Sequence, residues 1–382
     1  MDREFDLVLQ GATGFTGRLA AAEIVQRVAH KPGPKLRWAI AGRSEEKLQA
    51  LAMEFNVPYI VAPGLDDDAV NAMAQRTKVV ISCAGPFSRF GTPLVDACVR
   101  HQTHYADLTG ELPWVHLLIH KHHQKATTDG TAILPASGFD SVPSDMAVYQ
   151  QVRALQQRGA EVGKLSGHYK LQGGFNGGTL ASGLELYEKF PDFMAKADPH
   201  VFKVPALNCW AAPFLMAPVN EWVVRRSAEL LDEAGEGYGK NFDYQEFMSA
   251  RSRFSARMLS RILRTLQYLM SKKWGRGLLR RLGPNPGKGP SQKSRHQGFA
   301  QLRVLNQDGR ALGKLVMNGD PSNLITVRCL VQVGLALVAG EHKRGGVLTS
   351  ASAFGSTLIS RLRQTGDQYV THENSTDRHS AS

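Results

Sequence analysis

The residues best placed to do chemistry stand near the start of the chain, in Gly11-Ala12-Thr13-Gly14-Phe15-Thr16-Gly17. The spacing G-x-x-G-x-x-G suits a bound pyrophosphate. Gly11 would make a tight turn, Gly14 would let the backbone approach the phosphates, and Gly17 would remove a Cβ where a helix must lie against a strand. The N–H groups and positive dipole end of that helix would face the anion, with the hydroxyls of Thr13 and Thr16 as further donors. Glycines alone carry little information, so the surrounding frame decides. Leu7-Val8-Leu9 reads as a buried strand, and the Ala-rich stretch toward Arg27 reads as a helix. Gly11, Ala12, Thr13, Gly14, Phe15, Thr16 and Gly17 are therefore assigned to a dinucleotide.

A second position selects the dinucleotide. The next strand, Leu36 to Ala41, ends in Gly42-Arg43-Ser44, where an NAD site would place Asp or Glu on the ribose hydroxyls. A guanidinium and a hydroxyl suit a 2′-phosphate instead, so Arg43 and Ser44 point to NADP(H). The plainer reading of Arg43 is a surface arginine at a helix start, set slightly unfavourably against the dipole.

Other chemistry is weaker in the sequence. Cys83 closes the apolar strand Lys78 to Cys83, and Ala84, Gly85 and Pro86 follow it at the carboxyl edge where the cofactor should lie. A small apolar residue at a strand end is mostly packing. His116, His120 and His123 recur on one helical face with His122 alongside, but with no H-E-x-x-H and no carboxylate on that face, so a solvated helix face is expected and no metal. Neither a G-x-S-x-G elbow nor a G-K-[ST] phosphate loop occurs. In Gly138 to Asp145, Ser141 or Ser144 could cap the next helix with Pro143 in its first turn, leaving Asp140 toward the cleft. Gly173 to Thr179 could offer backbone N–H groups to a substrate or be only a turn. Asp107, Asp140, Asn176 and Thr179 are the substrate-side candidates, and Tyr105 and Tyr169 lie in the same stretches. No single proton donor stands out, and water could serve.

These residues need a frame, and the alternation supplies it. Helices at Glu45–Phe55, Gly91–Arg100 and Leu112–Thr128 and an acidic helix start at Asp66-Asp67-Asp68 separate strands at Pro58–Val61, Lys78–Cys83, His104–Leu108 and Thr131–Pro135. That predicts an α/β fold with a doubly wound parallel Rossmann sheet over residues 1–140. Beyond it, a helix at Val142–Arg158 and extended stretches at Glu161–Leu171, Gly298–Leu305 and Leu312–Met317 predict a second, mixed α+β domain over 141–344. Residues 345–364 carry a final helix from Thr349 to Gln364, and the polar residues 365–382 read as a disordered tail.

The net charge of +12 is concentrated in one place. Residues 251–300 hold thirteen Lys or Arg and no Asp or Glu, which leaves 33 basic and 34 acidic residues elsewhere. Within them, the basic helical stretch 257–281 has apolar residues recurring at threes and fours. Arg and Lys beside Leu, Met and Trp suit a membrane surface or an acidic carrier protein, and equally a helix packed on its own domain. Nucleic acid fits less well, since no recognised binding module accompanies the charge. Four scattered cysteines without a C-x-x-C pair fit a reducing compartment. No secretory signal and no run of roughly 18 apolar residues is evident; Cys329–Ala339 reads as a buried helix. The expected location is cytoplasmic, peripheral at the inner face of the plasma membrane.

Several stretches together resemble one family. The glycine turn, Ala41-Gly42-Arg43, Cys83 to Phe87, Tyr105-Ala106-Asp107-Leu108-Thr109-Gly110-Glu111, Gly138 to Asp145, Gly177-Gly178-Thr179 and Gly345 to Thr349 are similar to the saccharopine dehydrogenase-like oxidoreductases, most of all to their bacterial trans-acting enoyl reductase branch. The resemblance implies an NADP-binding Rossmann domain whose cofactor is held by Gly11, Gly14, Gly17 and Arg43. It also implies a second domain packed over the cleft and a last helix returning to the first domain. Members of the branch are linked to reduction of enoyl groups on polyketide or lipid chains and to glycolipid biosynthesis, and a distant animal branch is membrane-associated. The expected function is thus an NADP(H)-dependent oxidoreductase acting between the domains on an acyl, polyketide or lipid-type substrate, free or carrier-bound. The alternatives are a non-catalytic NADP-binding sensor or scaffold at a membrane, or a saccharopine-type amino-acid dehydrogenase, which would need an Arg or Lys pair in the cleft.

Overall fold

The computed structural model describes residues 3–29, 35–174, 177–190, 200–283 and 289–371. In the first part, strand and helix alternate as β1 (Phe5–Gln10), α1 (Phe15–Val28), β2 (Trp38–Gly42), α2 (Glu45–Phe55), β3 (Tyr59–Val61), α3 (Asp67–Gln75), β4 (Thr77–Ser82), α4 (Phe87–Phe90), α5 (Thr92–Arg100), β5 (His104–Asp107), α6 (Leu112–Asp129) and β6 (Ala132–Leu134). The boundaries follow from local chemistry. Asp66 caps α3 by accepting the Ala69 N–H at 3.0 Å, and α2 and α6 stop where Asn56 and Gly130 take left-handed backbone. The strands pair in parallel in the order β6-β5-β4-β1-β2-β3, so the order in which strands are added reverses between β1 and β4. Strands buried on both faces explain the near-continuous apolar runs of β1, β2 and β4.

The second part comprises α7 (Val142–Gln157), β7 (Lys164–Gln172), α8 (Gly177–Lys189), β8 (Phe202–Val204), β9 (Cys209–Pro213), α9 (Ala217–Asp232), β10 (Asp243–Ala250), α10 (Arg253–Ser271), α11 (Lys273–Leu282), α12 (Gln292–Gln297), β11 (Phe299–Asn306), β12 (Ala311–Asn318), α13 (Thr326–Val338), β13 (Gly346–Val347), α14 (Ser350–Phe354), α15 (Ser356–Gln364) and β14 (Gln368–Thr371). Its seven-stranded mixed sheet runs β14-β12-β11-β7-β10-β9-β8. One hydrophobic core joins the two sheets: Leu7, Leu9 and Ile81 from the first, Tyr169, Leu302 and Met317 from the second, and Met146, Val148 and Leu330 from the helices α7 and α13 all belong to it. Every residue of α13 except Arg328 and Val338 is buried, as an all-round apolar helix must be. The stretch Pro321–Val338 is the one helical span among the described residues long and apolar enough to cross a membrane, and it is 78% buried in this core.

Several sequence expectations are corrected. The final helix is two, broken at Gly355, whose φ is 55°. Before it, β13 adds a seventh strand to the first sheet beside β6. The tail is not disordered from residue 365: β14 pairs antiparallel with β12, Tyr369 is buried, and Asp367 meets Arg328 at 2.6 Å. The α6 histidines are a solvated face only in part: His116 and His120 are exposed, but the others, and the ring of His116, have partners within the fold. His122 is buried with Nε2 2.7 Å from Asp96 Oδ1, His123 Nδ1 accepts the Val347 N–H at 3.1 Å, and the His116 ring lies 5.1 Å from that of Trp222. Ser141 takes the N-cap position of α7, with Pro143 in its first turn, but neither serine makes a cap hydrogen bond: the Ser141 hydroxyl donates to the Asp140 carbonyl, and Ser144 pairs with the Tyr169 hydroxyl.

Asp367 is the residue on which the returned C-terminal strand is pinned, its side chain wholly buried against a guanidinium only 14% exposed. Removing one partner of such a pair leaves a buried charge alone. Asp367→Ala should therefore lower unfolding stability by about 3–5 kcal/mol, read as an earlier midpoint in urea denaturation, with NADPH affinity of the folded protein unchanged.

Candidate functional site

The carboxyl ends of β1, β2, β4 and β5 converge on one edge of the first sheet. There Gly11 turns with φ 79°, its N–H donating to the Ala41 carbonyl at 2.8 Å. A Cβ on Gly11 would lie 2.9 Å from the Ala84 nitrogen, and one on Gly17 only 2.1 Å from the Gly11 carbonyl oxygen. No larger residue fits at either position. Gly14 is the N-cap of α1, makes no side-chain cap hydrogen bond, and is followed by a first turn without an acid. The N-terminal amides are thus left to an outside acceptor, which is the condition for holding a diphosphate. Ala12 is buried beneath the turn, and Thr13 Oγ1 reaches within 3.9 Å of where a Gly42 Cβ would be, so the turns after β1 and β2 touch.

After β2, Arg43 is exposed and, among the described residues, forms no ion pair. Ser44 is the N-cap of α2 but makes no cap hydrogen bond with its hydroxyl. No carboxylate stands at the end of β2 to accept ribose hydroxyls. A cation and a hydroxyl there fit a 2′-phosphate.

After β4, Cys83, Ala84, Gly85 and Pro86 line the neighbouring turn, with a cis Gly85–Pro86 bond. Burial pushes the Cys83 thiol up to about 12, so it is no thiolate. Glu111 is buried and accepts the N–H groups of Phe87 at 2.8 Å and Ser88 at 3.0 Å, which fixes this turn onto the end of β5. Asp107 does similar work: Oδ1 accepts from Thr109 N at 2.9 Å and Ala136 N at 3.3 Å, and Oδ2 from the Tyr105 hydroxyl at 2.8 Å. Burial pushes its carboxyl up to about 7 against those bonds. Asp107 and Tyr105 therefore occupy each other inside the wall of the site. Tyr169 is likewise buried, its hydroxyl paired with Ser144 and its ring centroid 5.7 Å from that of Phe139, the neighbour of Asp140.

Asp140 is different. It precedes α7, is only partly buried, and its carboxyl accepts no hydrogen bond among the described residues, while its carbonyl accepts the Ser141 hydroxyl. Removal from water pushes its carboxyl up to about 6, with no cation near enough to oppose the shift. Its Oδ2 lies 4.0 Å from where a Gly110 Cβ would be, and Met216 Cε lies 3.7 Å from the same point. Two more pieces of the second part border the cofactor turns. Ser182 of α8 brings Oγ within 3.3 Å of a Gly85 Cβ position, and the segment 289–297 covers Phe15, with the Arg295 guanidinium 5.3 Å over the ring. Thr179 lies in α8 with its side chain outside the described residues, and Asn176 lies outside them altogether.

Met216, Ser182, Glu111 and Arg295 were not singled out from the sequence. Glu111 had a trace there, as the end of the Tyr105–Glu111 motif. Arg295 counted only as one charge in a basic run. Among the described residues no group of three or more His, Cys, Asp or Glu is assembled that could hold a metal.

Comparison with known proteins agrees with this geometry. The saccharopine dehydrogenase NADP binding domain family matches residues 7–134, the stretch that holds the glycine turn, Arg43 and Asp107. A Mycobacterium tuberculosis relative carrying the trans-acting enoyl reductase name is 35% identical, covering 95% of this chain and 96% of its own. The trans-acting enoyl reductase of Mycobacterium bovis is 33% identical over 96% of this chain and 97% of its own. Among solved structures, apo saccharopine dehydrogenase (L-Glu forming) from Saccharomyces cerevisiae shares the fold with a TM-score of 0.54 at 11% identity, covering 95% of this chain and 99% of that one.

The site yields a direct test of the cofactor assignment. Arg43→Ala should weaken NADPH binding roughly tenfold while leaving NADH binding unchanged, the loss expected for one exposed charge-assisted contact. Gly17→Val should abolish binding of both nucleotides. Fluorescence titration of each variant checks the pair.

Proposed function

The chain belongs to the saccharopine dehydrogenase-like oxidoreductases, together with the trans-acting enoyl reductases, and on that premise we propose that it reduces the enoyl group of an apolar acyl, polyketide or lipid-type chain. That it is an NADP-dependent oxidoreductase follows from the family itself. The observation that carries the finer reading is Asp140, a desolvated carboxyl without a hydrogen-bond partner among the described residues, at the mouth between Gly110 and Met216.

Bound NADPH would supply a hydride to the β-carbon. The task of the chain is to hold the acyl group at the carboxyl edge, keep water away, and deliver a proton to the α-carbon. A carboxyl raised to about 6 holds its proton below that pH and keeps a fraction of it at neutrality, where an ordinary carboxyl holds almost none, as a general acid needs. The neighbourhood favours an apolar substrate. Met216, Leu108 and Phe139 adjoin Gly110, Gly138 and Asp140, and no Arg or Lys acts on the Asp140 carboxyl. An amino-dicarboxylate substrate would need such cations. Glu111 and Asp107 act at one remove, by holding the turns on which cofactor and substrate meet.

With NADPH and an enoyl thioester, kcat/KM should fall as pH rises through about 6, because Asp140 loses its proton there. Asp140→Asn should lower kcat by roughly 10²–10⁴-fold, flatten that limb of the profile and leave NADPH affinity unchanged. An unaltered rate and profile would remove Asp140 from the role. Turnover of saccharopine in place of the thioester would overturn the substrate class.

A further inference from the structure

Helices α10 and α11 carry the excess charge, and their exposed faces do not look like the outside of a globular domain. The inward face of α10 is made of Ala256, Ser260, Leu263 and Met270. It packs on β9, β10 and α8, where Ala256 joins Ala212 and Ala250, and Met270 joins Leu184 and Tyr187. A second apolar stripe points outward. Phe254, Met258 and Ile262 recur every four residues on α10, as Trp274, Leu278 and Leu282 do on α11, and all six are 41–77% exposed. Tyr268 bridges the two helices, its ring centroid 6.4 Å from that of Trp274 and capped by Lys272 at 5.6 Å. The outward ridge is therefore continuous. The other exposed large apolar residues, Met53, Val61, Leu65 and Leu117, are scattered over the first part of the chain.

Beside the ridge run Arg253, Arg257, Arg261 and Arg264 on α10 and Lys273, Arg276, Arg280 and Arg281 on α11. Residues 251–283 contain no acidic residue. Arg280 pairs with Glu188, whereas Arg257, Arg261 and Arg264 are exposed and form no ion pair among the described residues. Large aliphatic and aromatic side chains in a line, flanked by cations of one sign, are complementary to a lipid interface whose headgroups are anionic. Trp274 and Tyr268 are the residue types that sit at headgroup depth. The charge alone would also suit an acidic protein; the exposed apolar line on both helices and the Tyr268–Trp274 pair are what favour lipid.

We propose that the outward ridge of α10 and α11 docks this protein on an anionic membrane surface. The same layer connects to the cofactor edge. Leu180, Leu184 and Tyr187 of α8 are packed against Leu266, Met270 and Leu279, and Ser182 of α8 borders Gly85. Docking would thus act on the layer of helices that borders the cofactor turn. Any passage of an acyl chain from the bilayer rests on reading the cleft as an acyl site; the docking itself does not.

The test uses the full-length protein with vesicles of phosphatidylcholine alone or with about one third phosphatidylglycerol, read by flotation without any turnover. The protein should float with the anionic vesicles, fail to float with the neutral ones, and lose binding as salt is raised. Ile262→Glu combined with Trp274→Glu should weaken flotation at least roughly tenfold, while Met53→Glu leaves it unchanged and NADPH titration shows each variant folded. No flotation with anionic vesicles, or flotation that the double variant does not reduce, would overturn the proposal. Capture of an acidic carrier protein without vesicle binding would assign the ridge to a protein and overturn it too. Flotation with no enoyl reduction would leave the docking intact and remove only the acyl-site reading.

Discussion

The constraint on which the molecule depends is the burial of α13 between its two sheets. A helix surrounded by protein has no solvated side, so nearly every position must be apolar and one must be small where it crosses a strand. A Cβ on Gly334 would lie 2.7 Å from Ile81 Cγ2 of β4, so the helix meets the first sheet at a contact only glycine permits. The entry to α13 is equally determined. Buried Asp320 accepts the Gly174 N–H at 2.6 Å and the Asn323 amide at 2.7 Å, and its own N–H donates to the Arg295 carbonyl at 2.8 Å. The turn that starts the buried helix therefore also holds the base of the glycine cluster and the segment lying over Phe15. Core packing and site geometry are consequences of one placement.

Buried carboxyls show how position separates structural from chemical roles. Asp145 is pushed up to about 7 by burial, yet it accepts the Ser227 hydroxyl and the Ala351 N–H, tying α7 to α9 and to the start of α14. Glu246, also near 7, accepts from Tyr244 and Asn220. In both, as in Asp107, hydrogen bonds take up the oxygen lone pairs, which is what allows a carboxyl into the interior. Asp140 has a similar shift without those partners. The same desolvation that is a structural cost elsewhere leaves a carboxyl open to the proposed chemistry there, because nothing among the described residues occupies its oxygens.

What could be read from the sequence follows the range of the interactions involved. The strand, glycine turn and helix from Phe5 to Val28 are local, and their two periodicities change within a few residues. The end of β2 could be read for the same reason. Of the second sheet, β7, β11 and β12 could be read as extended stretches, whereas β8, β9, β10 and β14 could not. β8 has three residues, β9 ends at Pro213, and β10 carries Glu246 inside the core, so no clean alternation marks any of them. β14 is a polar Gln-Tyr-Val-Thr whose partner lies about fifty residues earlier along the chain. The α6 histidines misled similarly, since Asp96, Trp222 and Val347, which explain them, are remote in sequence. Ser182, Met216 and Arg295 reach the site only through the arrangement of whole elements.

Helix α10 shows where periodicity stops being enough. Its pattern contains apolar residues on two faces, and a period of 3.6 cannot say which of them meets the domain. The structure answers in an unexpected sense: Ala256 and Ser260 are inside, whereas Phe254 and Ile262 are outside. A helix selected only to stabilise its own domain would place its largest apolar side chains inward, since each buried one contributes on the order of 1.5–3 kcal/mol. Here small residues let the helix lie close to β9 and β10, and that close seating lifts the large ones to the surface beside a row of unneutralised arginines. The arrangement gives up folding energy and solubility together. Selection for stability alone would retain neither the ridge nor its charges, and the proposed docking on an anionic surface supplies a use for both.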